Sequence, residues 1–211
     1  MGIIKSIIDF ILHLDIHLGQ IISSYGIVTY AILFGVIFVE TGLVFVPFLP
    51  GDSLLFAAGA FAAIGSLNVF SLLILFVAAA VLGDTVNYWV GHFIGDKIVA
   101  NPRLPIKKEH LARTNEFFRK HGGKTIILAR FVPVVRTFAP FVAGAGNMHY
   151  WKFISYNVIG GVLWVVVGTM AGYFFGNISF IRDHFSIFII GIVIISLVPI
   201  LIELWHNRRN R

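Results

Sequence analysis

The stretch Phe38–Gly59, FVETGLVFVPFLPGDSLLFAAG, decides how the whole chain is read. It is apolar enough to enter a bilayer, yet it holds Glu40 and Asp52 and is broken by Pro47 and by Pro50-Gly51. About 20 apolar residues cross the hydrocarbon core, and residues 27–66 are almost wholly apolar apart from those two carboxylates. Two ordinary spans would need a connection that reaches water. The connection VPFLPGD carries one charge and two prolines in an apolar setting. A span over about 27–46 followed by a re-entrant hairpin over about 47–66 is the better reading, because non-helical backbone at membrane depth is tolerated where protein buries it or a wet cavity receives it.

Composition sets the class. The chain has 211 residues, of which 58% are hydrophobic and 12% charged, with a mean hydropathy of +0.90. A soluble domain carries about a quarter charged residues, so this is an all-α, polytopic membrane protein. It has no cysteine, which excludes a disulfide framework, a thiolate metal site and a cysteine nucleophile. Its net charge of +6 fits basic cytoplasmic loops and anionic lipid contact better than nucleic acid. No cleavable signal peptide is expected, since Lys5, Asp9, His13, Asp15 and His17 interrupt the first apolar run.

Outward from the opening stretch, residues 3–24 read as an amphipathic helix that lies in the interface or packs on the bundle. Residues 1–25 form this N-terminal element, 26–180 the main membrane domain and 181–211 a last span with a basic tail. Residues 69–94 form a span carrying Asp84, with Ala79, Gly83, Asn87, Gly91 and Gly95 on one close-packing stripe. Residues 97–124 hold eight Lys or Arg and form a cytoplasmic loop, within which KKEHLARTNEFFRK reads as a short surface helix. Residues 126–146, IILARFVPVVRTFAPFVAGAG, repeat the opening design: Arg130 and Arg136 sit in apolar sequence, Pro133 and Pro140 break it, and a glycine-rich exit containing Gly144 follows. A second re-entrant hairpin is expected there. Residues 150–176 form a span with Gly160, Trp164, Gly168, Gly172 and Gly176 on one stripe, and 185–205 the last span.

Charge placement tests this topology. With four spans and two hairpins both termini are cytoplasmic; Lys5, the basic loop, Lys152 and the tail arginines lie inside, and Arg182 alone lies outside. If both hairpins spanned, the basic loop and basic tail would fall on opposite sides, against the positive-inside rule. The hairpins then enter from opposite faces, an inverted-repeat arrangement familiar from transporters.

The motifs FVETGLVFVPFLPGDSLLFAAG, GDTVNYWVGHFIG (Gly83–Gly95), ARFVPVVRTFAPFVAGAGNM (Ala129–Met148) and FISYNVIGGVLW (Phe153–Trp164), taken in order, resemble the DedA family of bacterial inner-membrane proteins, which share the VTT domain with eukaryotic lipid scramblases. The resemblance covers roughly residues 34–176. It implies two re-entrant hairpins between membrane helices and lipid translocation, with undecaprenyl phosphate as the proposed lipid and proton coupling in some members. It also implies functional roles for an acidic pair, matched here by Glu40 and Asp52, and an arginine pair, matched by Arg130 and Arg136.

The residues themselves give a physical reason. A charged group near the bilayer centre costs about 2.5–3.5 kcal/mol on insertion scales. One reading is two buried ion pairs that pin the hairpins; the other is a polar cavity for an anionic headgroup. Arginine suits phosphate because its planar guanidinium offers paired donors, and a helix N-terminus after Pro50-Gly51 adds backbone donors. Glu40 and Asp52 then answer Arg130 and Arg136 in the empty state, and a carboxylate takes a proton when the lipid arrives. Asp84 reads either as a polar contact to Tyr88 or to hairpin backbone or as a supporting residue of the transport site; Asn87, Tyr88 and Asn157 satisfy open backbone groups, and Thr137 assists a phosphate contact.

Other motifs fail. GGKT at Gly122–Thr125 lacks the earlier glycine of a P-loop, since Phe118 stands there. His13 and His17 have helical spacing but no third ligand, so no metal and no cofactor is expected. Neither proline-broken segment contains a histidine, and His149 alone is near enough to keep a hydrolase as a minor alternative; no catalytic residue is assigned. The expected partners are an anionic membrane lipid, protons and the bilayer, with no nucleic acid and with a homo-oligomer left open. Two other functions stand beside lipid transport: a proton-coupled transporter of a small ion or solute, and a non-transporting membrane scaffold.

Overall fold

The structure, a computed structural model, describes residues 14–42, 51–100, 116, 118–146, 148–176 and 178. Pro47, Pro50, most of the basic loop, the expected last span and the tail lie outside the described residues, as does the first half of the N-terminal helix. Among the described residues all regular structure is helical: α1 Leu14–Tyr25, α2 Val28–Gly42, α3 Gly51–Ala63, α4 Val69–Ala100, a 3₁₀ turn at Gly122–Lys124, α5 Thr125–Ala129, α6 Pro133–Ala145 and α7 Tyr150–Gly176. Within α4 the stretch Val69–Phe93, and in α7 the whole of Tyr150–Gly176, are long and apolar enough to cross a membrane. α4 continues past the expected end at 94 to Ala100. Lys97–Ala100 contains no helix breaker, and the next one is Pro102.

The chain divides into two compact units. The first comprises Met1–Phe34, Pro50–Phe76 and Val165–Arg211. Here α3 is buried on nearly every face, and Leu33, Leu72, Phe76 and Val165 of the same unit are buried as well. Gly19 of α1 faces the Phe61 ring of α3, which places α1 against another helix of its own unit. The α3–α4 turn uses Gly65 at φ 80, and Asn68 caps α4 by accepting from the Ser71 N–H at 2.9 Å. The second unit comprises Gly35–Leu49 and Val77–Trp164. Its core joins Tyr88 of α4, Ile126 and Ala129 of α5, Val135, Ala139 and Ala143 of α6, and Phe153 of α7.

Each unit contains the same helix crossing. In the first, Gly172 of α7 faces the Phe56 carbonyl while Gly59 of α3 faces the Thr169 carbonyl. In the second, Gly91 of α4 faces the Phe141 carbonyl while Gly144 of α6 faces the Tyr88 carbonyl. A methyl group at any of the four glycines would collide with the facing backbone. The sequence signature is FAAG against TMAG in one unit and FVAG against YWVG in the other. This gives the glycine stripes of α4 and α7 their physical purpose, close backbone approach. Gly144 therefore serves a helix crossing inside α6 and not a hairpin exit. The other faces of α4 and α7 expose large apolar side chains, including Phe70, Ile74, Leu82, Leu163, Val167 and Phe174.

Pro140 also differs from expectation. It lies inside α6 and does not end it. A proline withdraws one backbone donor and crowds the carbonyl a turn earlier, here that of Arg136. One residue along, the Asn87 side-chain amide of α4 donates to the Thr137 carbonyl at 2.9 Å, tying this stretch of α6 to a neighbouring helix.

Candidate functional site

The site lies within the second unit and begins with a chain break. Pro133 opens α6 and holds Val132 extended, with φ −119 and ψ 104, because the residue before a proline is driven out of helical geometry. α5 therefore stops at Ala129. The Arg130, Phe131 and Val132 N–H groups close short turns onto Ile127, Leu128 and Ala129 at 3.3, 3.1 and 2.9 Å. Arg130 sits in this turn and Arg136 in the first turn of α6, so one break delivers both guanidinium groups.

Arg136 donates to Glu40 of α2 and Arg130 to Asp84 of α4. Arg130 also donates to Asn157 Oδ1 of α7 at 2.5 Å, and Asn157 Nδ2 donates to the Val81 carbonyl at 3.1 Å. The two pairs differ in access. The Arg130 side chain is 6% exposed, and its Nε–H is buried without a hydrogen-bond acceptor among the described residues; the Arg136 side chain is 16% exposed. Both lie over one indole ring: the guanidinium carbons of Arg130 and Arg136 stand 5.9 and 5.0 Å from the Trp164 ring centroid. The cleft is lined by Glu40, Thr41, Asp84, Arg130, Arg136, Thr137 and Trp164. It offers about 10 Å³ to the centre of a water molecule, room for about one water.

Depth follows from helix rise. Trp164 is one residue past the middle of the 27-residue α7, about 20 Å from either end at 1.5 Å per residue. The arginines on its ring are therefore level with the middle of an apolar helix.

The structure redistributes the expected pairings. Of the two arginines set against Glu40 and Asp52 without a one-to-one assignment, Glu40 pairs with Arg136. The carboxylate on Arg130 is Asp84, not the contact to Tyr88 or hairpin backbone expected of it, because Asp84 occupies the α4 face that meets the α5–α6 turn. Asp52 is in the first turn of α3, in the first unit. Gly51 is the buried first residue of that helix. Tyr88 does satisfy open backbone, donating to the Met148 carbonyl, and stacks on Phe153 at 4.5 Å. Asn87 bonds α6 backbone, Thr137 lines the cleft, and Asn157 is a direct partner of Arg130. Trp164 and Thr41 complete the cleft without having been singled out for it. An aromatic in an apolar run carries no sequence signal of this kind, and a threonine bonding its own helix carbonyl, as Thr41 does to Ile37 at 2.9 Å, carries none either.

Residues 49–174 match the VTT domain. The chain is 52% identical to Protein DedA of Escherichia coli strain K12, over 99% of this chain and 97% of that protein. It is 43% identical to an uncharacterized membrane protein of Mycobacterium leprae over 83% of this chain and 79% of the relative. It is 35% identical to the inner membrane protein YqjA of Escherichia coli strain K12 over 70% and 68%. No solved structure matches it significantly. The match to the VTT domain and the near full-length likeness to DedA establish that this chain belongs to the DedA family of VTT-domain membrane proteins.

Proposed function

We propose that the protein translocates an anionic lipid, undecaprenyl phosphate or a relative with the same headgroup chemistry, across the bacterial cytoplasmic membrane. The observation that carries this reading is the pair of arginines, each already held by a carboxylate, around one cleft level with the middle of an apolar helix. In this arrangement the two arginines and two carboxylates balance in formal charge. A phosphate entering the cleft adds negative charge, so it must displace a carboxylate from its arginine or arrive with a proton. Displacement of Glu40 from Arg136 is the easier step, because that pair is the more exposed. Proton uptake by the released carboxylate couples the two events. The duplicated helix crossing supports an inverted repeat, with the proline-broken segments as opposed re-entrant hairpins.

The small volume of the cleft favours a second reading, a proton-coupled transporter of a small ion or solute, since one water fits and a phosphate requires opening. Reconstitution separates the two. Vesicles containing the protein and labelled undecaprenyl phosphate are expected to move label between leaflets, and Arg136→Ala to slow this by about 10–100-fold, the loss expected for a charged hydrogen bond. Arg136→Lys keeps the charge without the paired donors and is expected to fall between. A proton-driven solute flux with no lipid movement would replace the first reading with the second.

A further inference from the structure

We infer that Trp164 is a third component of the anion site: its indole face is the common seat of both guanidinium groups and holds them together while their carboxylates exchange for a phosphate. This rests on the anionic-lipid reading above.

Arg130 and Arg136 are like charges converging on one small cleft, and their mutual repulsion favours separation. Asp84 is paired with the first and Glu40 with the second. The Trp164 ring lies within reach of both, at 5.9 and 5.0 Å from the guanidinium carbons, inside the range at which a ring quadrupole attracts a cation. Trp164 is buried, and desolvation strengthens that attraction.

The chemistry of the contact matters for exchange. A carboxylate engages the in-plane N–H donors of a guanidinium, the same donors a phosphate needs. An aromatic ring engages the guanidinium through its π face and leaves those donors available. Carboxylate and phosphate therefore compete, whereas indole and phosphate do not. Trp164 is positioned to retain both arginines through the interval when neither carboxylate does. Arg130 shows what is available for the ligand, a buried Nε–H without an acceptor among the described residues. Trp164 is thus a positioning residue, acting on the ligand through the two arginines.

The test must separate a cation–π role from simple packing, and replacing indole by a smaller side chain changes both. Site-specific incorporation of mono-, di-, tri- and tetrafluorotryptophan at position 164 keeps the shape and progressively weakens the ring quadrupole. The full-length protein in phosphatidylcholine nanodiscs is titrated with farnesyl phosphate, a short prenyl phosphate. The Kd is expected to rise stepwise with fluorine number, by about tenfold across the series, while the thermal transition stays constant. Trp164→Tyr is expected to keep more affinity than Trp164→Leu. Inorganic phosphate, titrated in parallel, distinguishes free phosphate from a lipid headgroup, and the same fluorine dependence with it supports the ring's role for phosphate of either source. A flat series on a protein that binds prenyl phosphate overturns the role of the ring alone. A parent protein that binds neither phosphate overturns the anionic-ligand reading, and the role of the ring with it.

Discussion

At the scale of single residues, Asp84 and Arg130 pose the sharpest question, because their pair is both the most buried and the easiest to mistake for a fastener. Removing one partner of a buried ion pair leaves the other uncompensated and costs about 3–5 kcal/mol, whereas replacing both by apolar groups of similar size is often neutral or stabilising. Asp84→Asn is therefore expected to lower the thermal transition markedly, with Arg130 left to Asn157. The double substitution Asp84→Leu with Arg130→Met is expected to recover most of that stability yet remain inactive in lipid translocation. A scaffold predicts recovery of both, so cellular function retained by the double variant would sink the transport reading. Glu40→Gln is expected to destabilise less, since Arg136 is the more exposed arginine. The same residues show what sequence reading reaches. Glu40, Arg130 and Arg136 were legible because a charge in apolar sequence is expensive and so demands a purpose. The partner of Arg130 was not legible: Asp84 is 46 positions away, and sequence states that a carboxylate is buried without stating where its helix face points. Trp164 was invisible for the opposite reason, being apolar among apolar neighbours.

At the scale of elements, the decisive features are the proline break before α6 and the glycine crossings. The break at residues 130–132 was legible because proline constrains both itself and its predecessor. The survival of α6 through Pro140 was not, since sequence does not show which neighbouring helices pack on and bond that stretch, as Asn87 of α4 does at the Thr137 carbonyl. The crossings yield a matched prediction. Gly91→Ala and Gly172→Ala each place a methyl group against a carbonyl of the short helix in their own unit, Phe141 and Phe56. Overpacking of this kind costs about 1–3 kcal/mol, and both variants are expected to unfold at lower temperature by similar amounts. Gly35→Ala supplies the control, because a Cβ there meets nothing within 4 Å and α2 gains up to about 1 kcal/mol of helix propensity. A large loss at Gly91 with none at Gly172 would show that the two crossings are not equivalent and remove the support they give to an internal repeat.

At the scale of the whole molecule, the membrane class was legible from composition, and α7 from its long apolar run with Gly160, Trp164, Gly168, Gly172 and Gly176 on one four-residue stripe. The number of crossings rests in the sequence on charge placement, and the chain offers a clean way to measure it. It contains no cysteine, so a single introduced cysteine is the only thiol that a reagent can find. His110→Cys lies in the basic loop and Asn210→Cys in the basic tail. If the proline-broken segments re-enter, both positions face the cytoplasm, and a membrane-impermeant maleimide is expected to label neither in intact cells and both in inverted vesicles. If those segments cross fully, the two positions fall on opposite faces, and one of them labels in intact cells. Ile178→Cys, just beyond the end of α7, serves as the internal reference: with Tyr150 at the cytoplasmic end of that helix, it is expected to label from outside. Labelling of positions 110 and 210 from opposite faces would make the hairpins ordinary spans. It would also remove the reason for Glu40, Arg130 and Arg136 to meet in mid-membrane as parts of a re-entrant pair.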